Sequence, residues 1–292
     1  MTKLATAIGC LAIVLWSMDT SINVFLNRIP VFQMLSIAWF ICFLGYAFIL
    51  TIKKRWGTLK QPWPVWVIGT LGVSGAHCVM IWSLRLCPPT QSSVLSALWP
   101  IYVIAFSTKL LHQHSKRWHL VGAIIGFIGV WFVLTHGQGL TGYDWQYSKG
   151  YALAILSGLL WTGYVLMSRK IAAIPSEIMG MFIGVGAPFA LILHFQTEVF
   201  VTPTAIEWLL LAIKGSVTLG VAYYCWDYGI KHGQFILLNV LSYFNPLLAI
   251  SFLILFGLSA SEQSLWIGSV LVTIGCLFCS DVFTTWMRKQ KS

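Results

Sequence analysis

Apolar residues in this chain come in long runs, and the polar breaks between them are short. Ten runs reach the roughly 20 residues that a helix needs to cross a ~30 Å hydrocarbon core. They cover 4–25, 32–52, 63–84, 90–111, 118–135, 149–171, 177–196, 206–228, 235–256 and 264–285. The longest polar breaks, 53–61, 112–117 and 136–148, leave no room for a soluble domain. The pattern predicts an all-α polytopic membrane protein with ten transmembrane helices. The first run is expected to stay as a helix rather than be removed as a signal peptide. It is too long, contains Asp19 and lacks a small-residue cleavage pattern.

Two runs are interrupted alike. Ser96-Ala97-Leu98-Trp99-Pro100 lies inside the fourth, and Ser242-Tyr243-Phe244-Asn245-Pro246 inside the ninth. Proline removes an N–H and pushes away the carbonyl four residues back, here that of Ser96 and of Ser242. Within lipid such a group must find a partner in protein, water or ligand. One reading is a kink relieved by neighbouring helices. The other is a transport site, since matched interruptions in two halves of a membrane chain point to one.

The halves do match. Leu15-Trp16 and Pro30 correspond to Leu160-Trp161 and Pro175 at an offset of 145. Ser96, Pro100, Gly122 and Gly129 correspond to Ser242, Pro246, Gly268 and Gly275 at 146, and Trp82 to Trp226 at 144. Five spans per copy is an odd number, so the copies are expected to sit inverted, as two five-helix repeats. Residues 1–136 form the first, 137–148 an external linker and 149–292 the second. Gly122-x-x-x-Gly126 and Gly180-x-x-x-Gly184 read as close helix packing.

Charge sets the orientation. With the N-terminus inside, fourteen of the eighteen Lys and Arg residues fall in cytoplasmic segments and three outside (Arg28, Arg85 and Lys149), while Lys214 lies within a span. The positive-inside rule then puts both termini in the cytoplasm. Only 9% of the 292 residues are charged and the mean hydropathy is +0.81. The net charge of +10 therefore belongs at a lipid surface, and no nucleic-acid partner is expected. The expected partners are the bilayer and a small-molecule substrate, with the protein a monomer or homodimer. Of seven cysteines, six lie in apolar runs and read as packing residues, Cys276-x-x-Cys279 included. No H-E-x-x-H, G-x-S-x-G or P-loop occurs. No enzyme activity, metal or cofactor is expected.

Asp19 is the most informative residue. A carboxylate deep in a span costs roughly 2.5–3.5 kcal/mol on insertion scales. At about 1.5 Å per residue it lies about 22 Å from the inner face, and Lys214 lies about 12 Å below the outer one, so the two share a depth. They read as a structural ion pair, as a clamp for the ammonium and carboxylate of an amino acid, or as a proton or cation site at Asp19 with Lys214 unrelated. Asn23 lies one turn from Asp19 on the same face. His77 sits mid-helix, either as hydrogen-bonded packing or as a substrate contact. Trp99, Trp161 and Tyr243, at or near the matched breaks, offer aromatic faces to apolar or cationic groups. Asp227 reads as solvated or capping near an inner helix end.

With Leu15-Trp16-Ser17, Leu98-Trp99-Pro100 and the stretch from Thr218 to Gly233 followed by Ser242-Tyr243-Phe244-Asn245-Pro246, the chain resembles the drug/metabolite transporter superfamily, EamA type. Within it the likeness is to YddG-type aromatic amino acid exporters of the bacterial inner membrane. The resemblance covers nearly the whole chain. It implies a central cavity lined by both halves, export by alternating access, and cavity positions at His77, Trp99, Trp161 and Ser242. Ala76, Met80 and Ala97 stand where that pattern has tyrosines, and Asp19 and Lys214 where it has apolar or small residues. An inner-membrane exporter of amino acids or related metabolites is the leading expectation. A proton-coupled cation or drug exporter using Asp19 is the alternative, and a membrane-embedded enzyme or channel the alternative from another class.

Overall fold

The computed structural model describes residues 2–99, 101–103, 106, 117–139, 144–168 and 174–279. Among these residues there is no strand. The helices are α1 (Thr2–Phe25), α2 (Val31–Ile52), α3 (Trp63–Leu86), α4 (Pro89–Ser96), α5 (Arg117–Leu134), α6 (Ser148–Ser168), α7 (Ile178–Thr197), α8 (Ala205–His232), α9 (Phe235–Ser242), α10 (Asn245–Leu255) and α11 (Gln263–Cys279). Six helices are long and apolar enough to cross a membrane: α1, α2, α3, α7, α8 and the stretch Trp145–Met167 that holds most of α6. Shorter apolar stretches cover Ile124–Leu134, Asn245–Leu255 and Gln263–Gly275.

Local chemistry sets the helix starts. Prolines 30, 62 and 88 sit just before α2, α3 and α4, where a missing N–H is harmless. Thr204 and Glu207 form a reciprocal capping box at the start of α8. The carboxylate of Glu198 accepts from the free N–H groups of Phe32 and Gln33 at 2.9 and 3.0 Å, capping α2 from another part of the chain.

The ninth apolar run is two helices. The backbone turns at Tyr243 and Phe244, and Pro246 falls in the first turn of α10, where proline is tolerated. In the fourth run α4 ends at Ser96 and the chain turns at Ala97 and Leu98. Pro100 lies outside the described residues. Hydroxyls of neighbouring helices bond the main chain at both breaks. Thr162 donates to the Trp99 carbonyl at 3.2 Å, Thr273 to that of Tyr243 at 3.0 Å and Ser17 to that of Asn245 at 3.5 Å.

Two further helices are locally widened. α3 has a π-helical stretch at Leu71–Gly75, and α8 one at Lys214–Val221. In the register that aligns Trp82 with Trp226, the first maps inside the second. Such stretches mark functional segments more often than chance.

The helices pair antiparallel across the halves. Gly9 of α1 meets Gly229 of α8, and Thr6 meets Gly233. Ser83 of α3 donates to the Gly150 carbonyl of α6 at 2.8 Å, and Ser157 of α6 to the Ala76 carbonyl of α3 at 2.9 Å. Gly180 of α7 packs on Tyr46 of α2, and Gly129 of α5 on the main chain at Gly268 of α11. Each pair joins one helix from before the 137–148 segment to one from after it. Glycine permits these approaches, because a Cβ on Gly129 would come within 2.7 Å of backbone atoms on α11. The largest buried cluster lies along the α2–α7 seam and includes Trp39, Tyr46, Phe182 and Met34.

Candidate functional site

A cavity of about 170 Å³ lies between α1, α3, α4, α6, α8 and the α9–α10 break. Asp19 and Asn23 reach it from α1, and His77 from α3. Ser96 and Trp99 line it from the end of α4, Trp161 from α6, and Ser242 and Asn245 from the α9–α10 break. Residues as far apart in sequence as Asp19 and Asn245 are thus gathered around one space by the antiparallel pairing described above.

One wall is aromatic. Trp161 stands edge-on to Trp16 at 5.8 Å between ring centroids, to Tyr223 at 5.8 Å and to Trp99 at 6.5 Å. Edge-to-face pairs at these separations are favourable and rigid. Trp16 and Tyr223 also line the cavity. Trp16 sits three residues before Asp19 and seven before Asn23, so all three fall on one helix face.

A charged group adjoins this wall. The Lys214 ammonium lies 2.8 and 2.9 Å from the two oxygens of Asp19. Thr218, one turn along α8, donates to Asp19 Oδ1 at 2.5 Å, and Asn23 Nδ2 donates to Oδ2 at 2.9 Å. A carboxylate offers about four lone-pair directions, and these donors take most of them. Asp19 keeps 14% of its side chain exposed, whereas Lys214 has none. Lys214 therefore lies behind Asp19, away from the cavity. The structure brings the two together as an ion pair, and the clamp geometry, with Lys214 free to meet a carboxylate, is not the one it has. His77 completes the group, with Nε2 3.5 Å from Asp19 Oδ2 and 3.3 Å from Lys214 Nζ. Its Nδ1 accepts from the Trp39 indole at 3.2 Å.

Tyr243 is a correction. It is buried in the cluster that includes Val94, Leu95, Ile250 and Val272 and does not line the cavity, because the chain leaves the helix there and turns between α9 and α10. Pro246, expected at a helix break, is buried in the first turn of α10, just past the turn at Tyr243 and Phe244. Asp227 is also corrected: it is 2% exposed and paired with Lys231 at 2.6 Å, so it is not solvated. Met80 lines the cavity with Ala76 and Ala97, and Ser93, Thr218 and Tyr223, which the sequence does not single out, line it too. The i, i+5 pairing of Thr218 and Tyr223 on one face arises only from the π-helical stretch between them, which no residue pattern announces. Among the described residues no three His, Cys, Asp or Glu side chains are grouped to hold a metal ion.

Apolar spans paired antiparallel across two halves, around a cavity whose wall is broken backbone, define a membrane solute transporter. The EamA-like transporter family matches the chain twice, at residues 3–135 and 148–280, and the chain belongs to that family. It is 33% identical to the aromatic amino acid exporter YddG of Ancylobacter novellus, over 93% of this chain and 95% of that protein. It is 28% identical to the aromatic amino acid exporter YddG of Escherichia coli K12, over 94% and 96% of the two chains. A solved crystal structure with 30% sequence identity superposes with a TM-score of 0.78, covering 100% of both chains. The fold is thus the two-repeat membrane fold of this family, and the protein is a multi-pass membrane transporter rather than an enzyme.

Proposed function

We propose that the protein is an inner-membrane exporter of amino acids, carrying them through the central cavity by alternating access. The observation that carries this reading is the division of the cavity into an aromatic wall and a polar, charged end. A substrate with an apolar or aromatic side chain and an ammonium group meets a complementary surface at each end. The side chain packs on Trp161 and Trp99. The ammonium lies toward Asp19 and Asn23, and Ser96, Ser242 and Asn245 supply hydroxyl and amide groups for the carboxylate. A cavity of about 170 Å³ is below the roughly 300–1,000 Å³ typical of drug-sized ligands, which favours a single amino acid over larger compounds. The names of both exporters above support the same substrate class.

Each repeat, 1–136 and 149–292 with 137–148 between them, supplies half the cavity and one broken helix. Both termini face the cytoplasm in this reading, on the strength of the fourteen-to-three distribution of basic residues. The test is uptake into proteoliposomes of labelled aromatic, aliphatic and charged amino acids and of organic cations. Saturable uptake of an aromatic amino acid, reduced at least tenfold by Trp161→Ala, is the expected result. Uptake confined to cations, with matching proton release, replaces this reading with a cation exporter.

A further inference from the structure

Among the described residues that line the cavity, His77 is the one imidazole, and the Trp39 indole decides which of its nitrogens carries the proton. An indole nitrogen can only donate. The Trp39 Nε1–H lies 3.2 Å from His77 Nδ1 with donor geometry, so Nδ1 must be the bare, accepting nitrogen. In the neutral ring the proton is then on Nε2. That N–H faces Asp19 Oδ2 at 3.5 Å, which can only accept. The neighbouring Lys214 ammonium, 3.3 Å away, cannot donate to a nitrogen that already carries a proton, and its contacts with the two Asp19 oxygens, at 2.8 and 2.9 Å, are shorter. Protonating the ring would set Nδ1–H head-on against the Trp39 N–H and add a second cation beside Lys214.

Trp39 is 3% exposed in the α2–α7 core and does not line the cavity. It acts on the site only through His77. We infer that Trp39 is a positioning residue that locks His77 in the Nε2–H tautomer, so that the charged end of the cavity keeps one fixed hydrogen-bond pattern. The inference rests on the reading of the cavity as the substrate site. It deepens that reading, since an uncharged ring does not repel the ammonium of an incoming amino acid. The charged groups that face the ring are Asp19 of α1 and Lys214 of α8. From α2 comes the Trp39 indole, and α6 places Ser157 on the α3 backbone at Ala76.

Without the indole N–H, a competing arrangement becomes available: Nδ1 takes the proton and Nε2 accepts from Lys214. Nitrogen-15 spectra of the histidine-labelled full chain in detergent micelles distinguish the forms, with His77→Gln assigning the ring. The wild-type ring is expected to carry its proton on Nε2. Trp39→Phe, which keeps an aromatic ring in place, is expected to lower the Nε2–H to Nδ1–H ratio several-fold, about what one hydrogen bond of ordinary strength is worth. A wild-type ring that carries its proton on Nδ1 overturns the inference, as does a tautomer ratio unchanged in Trp39→Phe. If that variant does not fold, the wild-type spectra decide alone. These spectra need no substrate, so their outcome is separate from whether the cavity carries amino acids.

Discussion

The hydroxyl of Thr162 donates to the main-chain carbonyl of Trp99 at 3.2 Å, and one repeat away Ser17 reaches the carbonyl of Asn245. Each hydroxyl also bonds the carbonyl four residues back on its own helix, at 2.8 Å. Two unrelated side chains, at equivalent places in the two copies, thus hold the two broken segments against the helices that carry Trp161 and Trp16. Thr162→Val keeps the shape and removes the donor. It should cost about 0.6–1.7 kcal/mol, the range for side-chain hydrogen bonds in membrane proteins, and slow transport, while Thr162→Ser retains both. Thermal unfolding in detergent and uptake assays check the pair.

The Asp19–Lys214 pair makes an ordered prediction. Removing one member leaves an uncompensated charge in a desolvated place, which costs roughly 3–5 kcal/mol, whereas removing both is often close to neutral. Lys214→Met and Asp19→Asn should therefore each lower the unfolding temperature more than the double variant does. A double variant less stable than both singles would show that the two residues are not coupled.

The aromatic wall should govern selectivity. Trp161 touches Trp16, Trp99, Tyr164 and Tyr223, so Trp161→Leu removes the hub. The expected outcome is a loss of at least tenfold in uptake of aromatic amino acids relative to small aliphatic ones, measured in the same vesicles.

At the α5–α11 seam, a Cβ on Gly129 meets the Gly268 carbonyl and the Val272 amide, both at 2.7 Å. Backbone cannot step aside as a side chain can. Gly129→Ala should cost about 1–3 kcal/mol, the usual range for overpacking. By contrast, nothing lies within 4 Å of a Cβ on Gly163, and Gly163→Ala should leave the unfolding temperature unchanged or slightly raised.

Much of the architecture was legible in one dimension. Runs of about 20 apolar residues announce α1, α2, α3, α6, α7 and α8, because lipid imposes both length and composition. The offset between Trp16 and Trp161, or Ser96 and Ser242, announces the repeat. The opposite charges and common depth of Asp19 and Lys214 announce that they can meet, but not whether substrate comes between them; side-chain packing decides that, by sealing Lys214 behind Asp19. Tyr243 does not line the cavity because the chain turns there between two helices, and a residue in a turn need not share the face of its neighbour Ser242. Trp39 was invisible, since its part depends on which nitrogen of His77 it touches.

The pairing of α1 with α8 and of α3 with α6 has a consequence for how the chain can be cut. Neither half holds both members of any of these pairs, so a protein expressed as two pieces, severed between 137 and 148, should give two fragments that are unstable separately and regain activity only when made together in one cell.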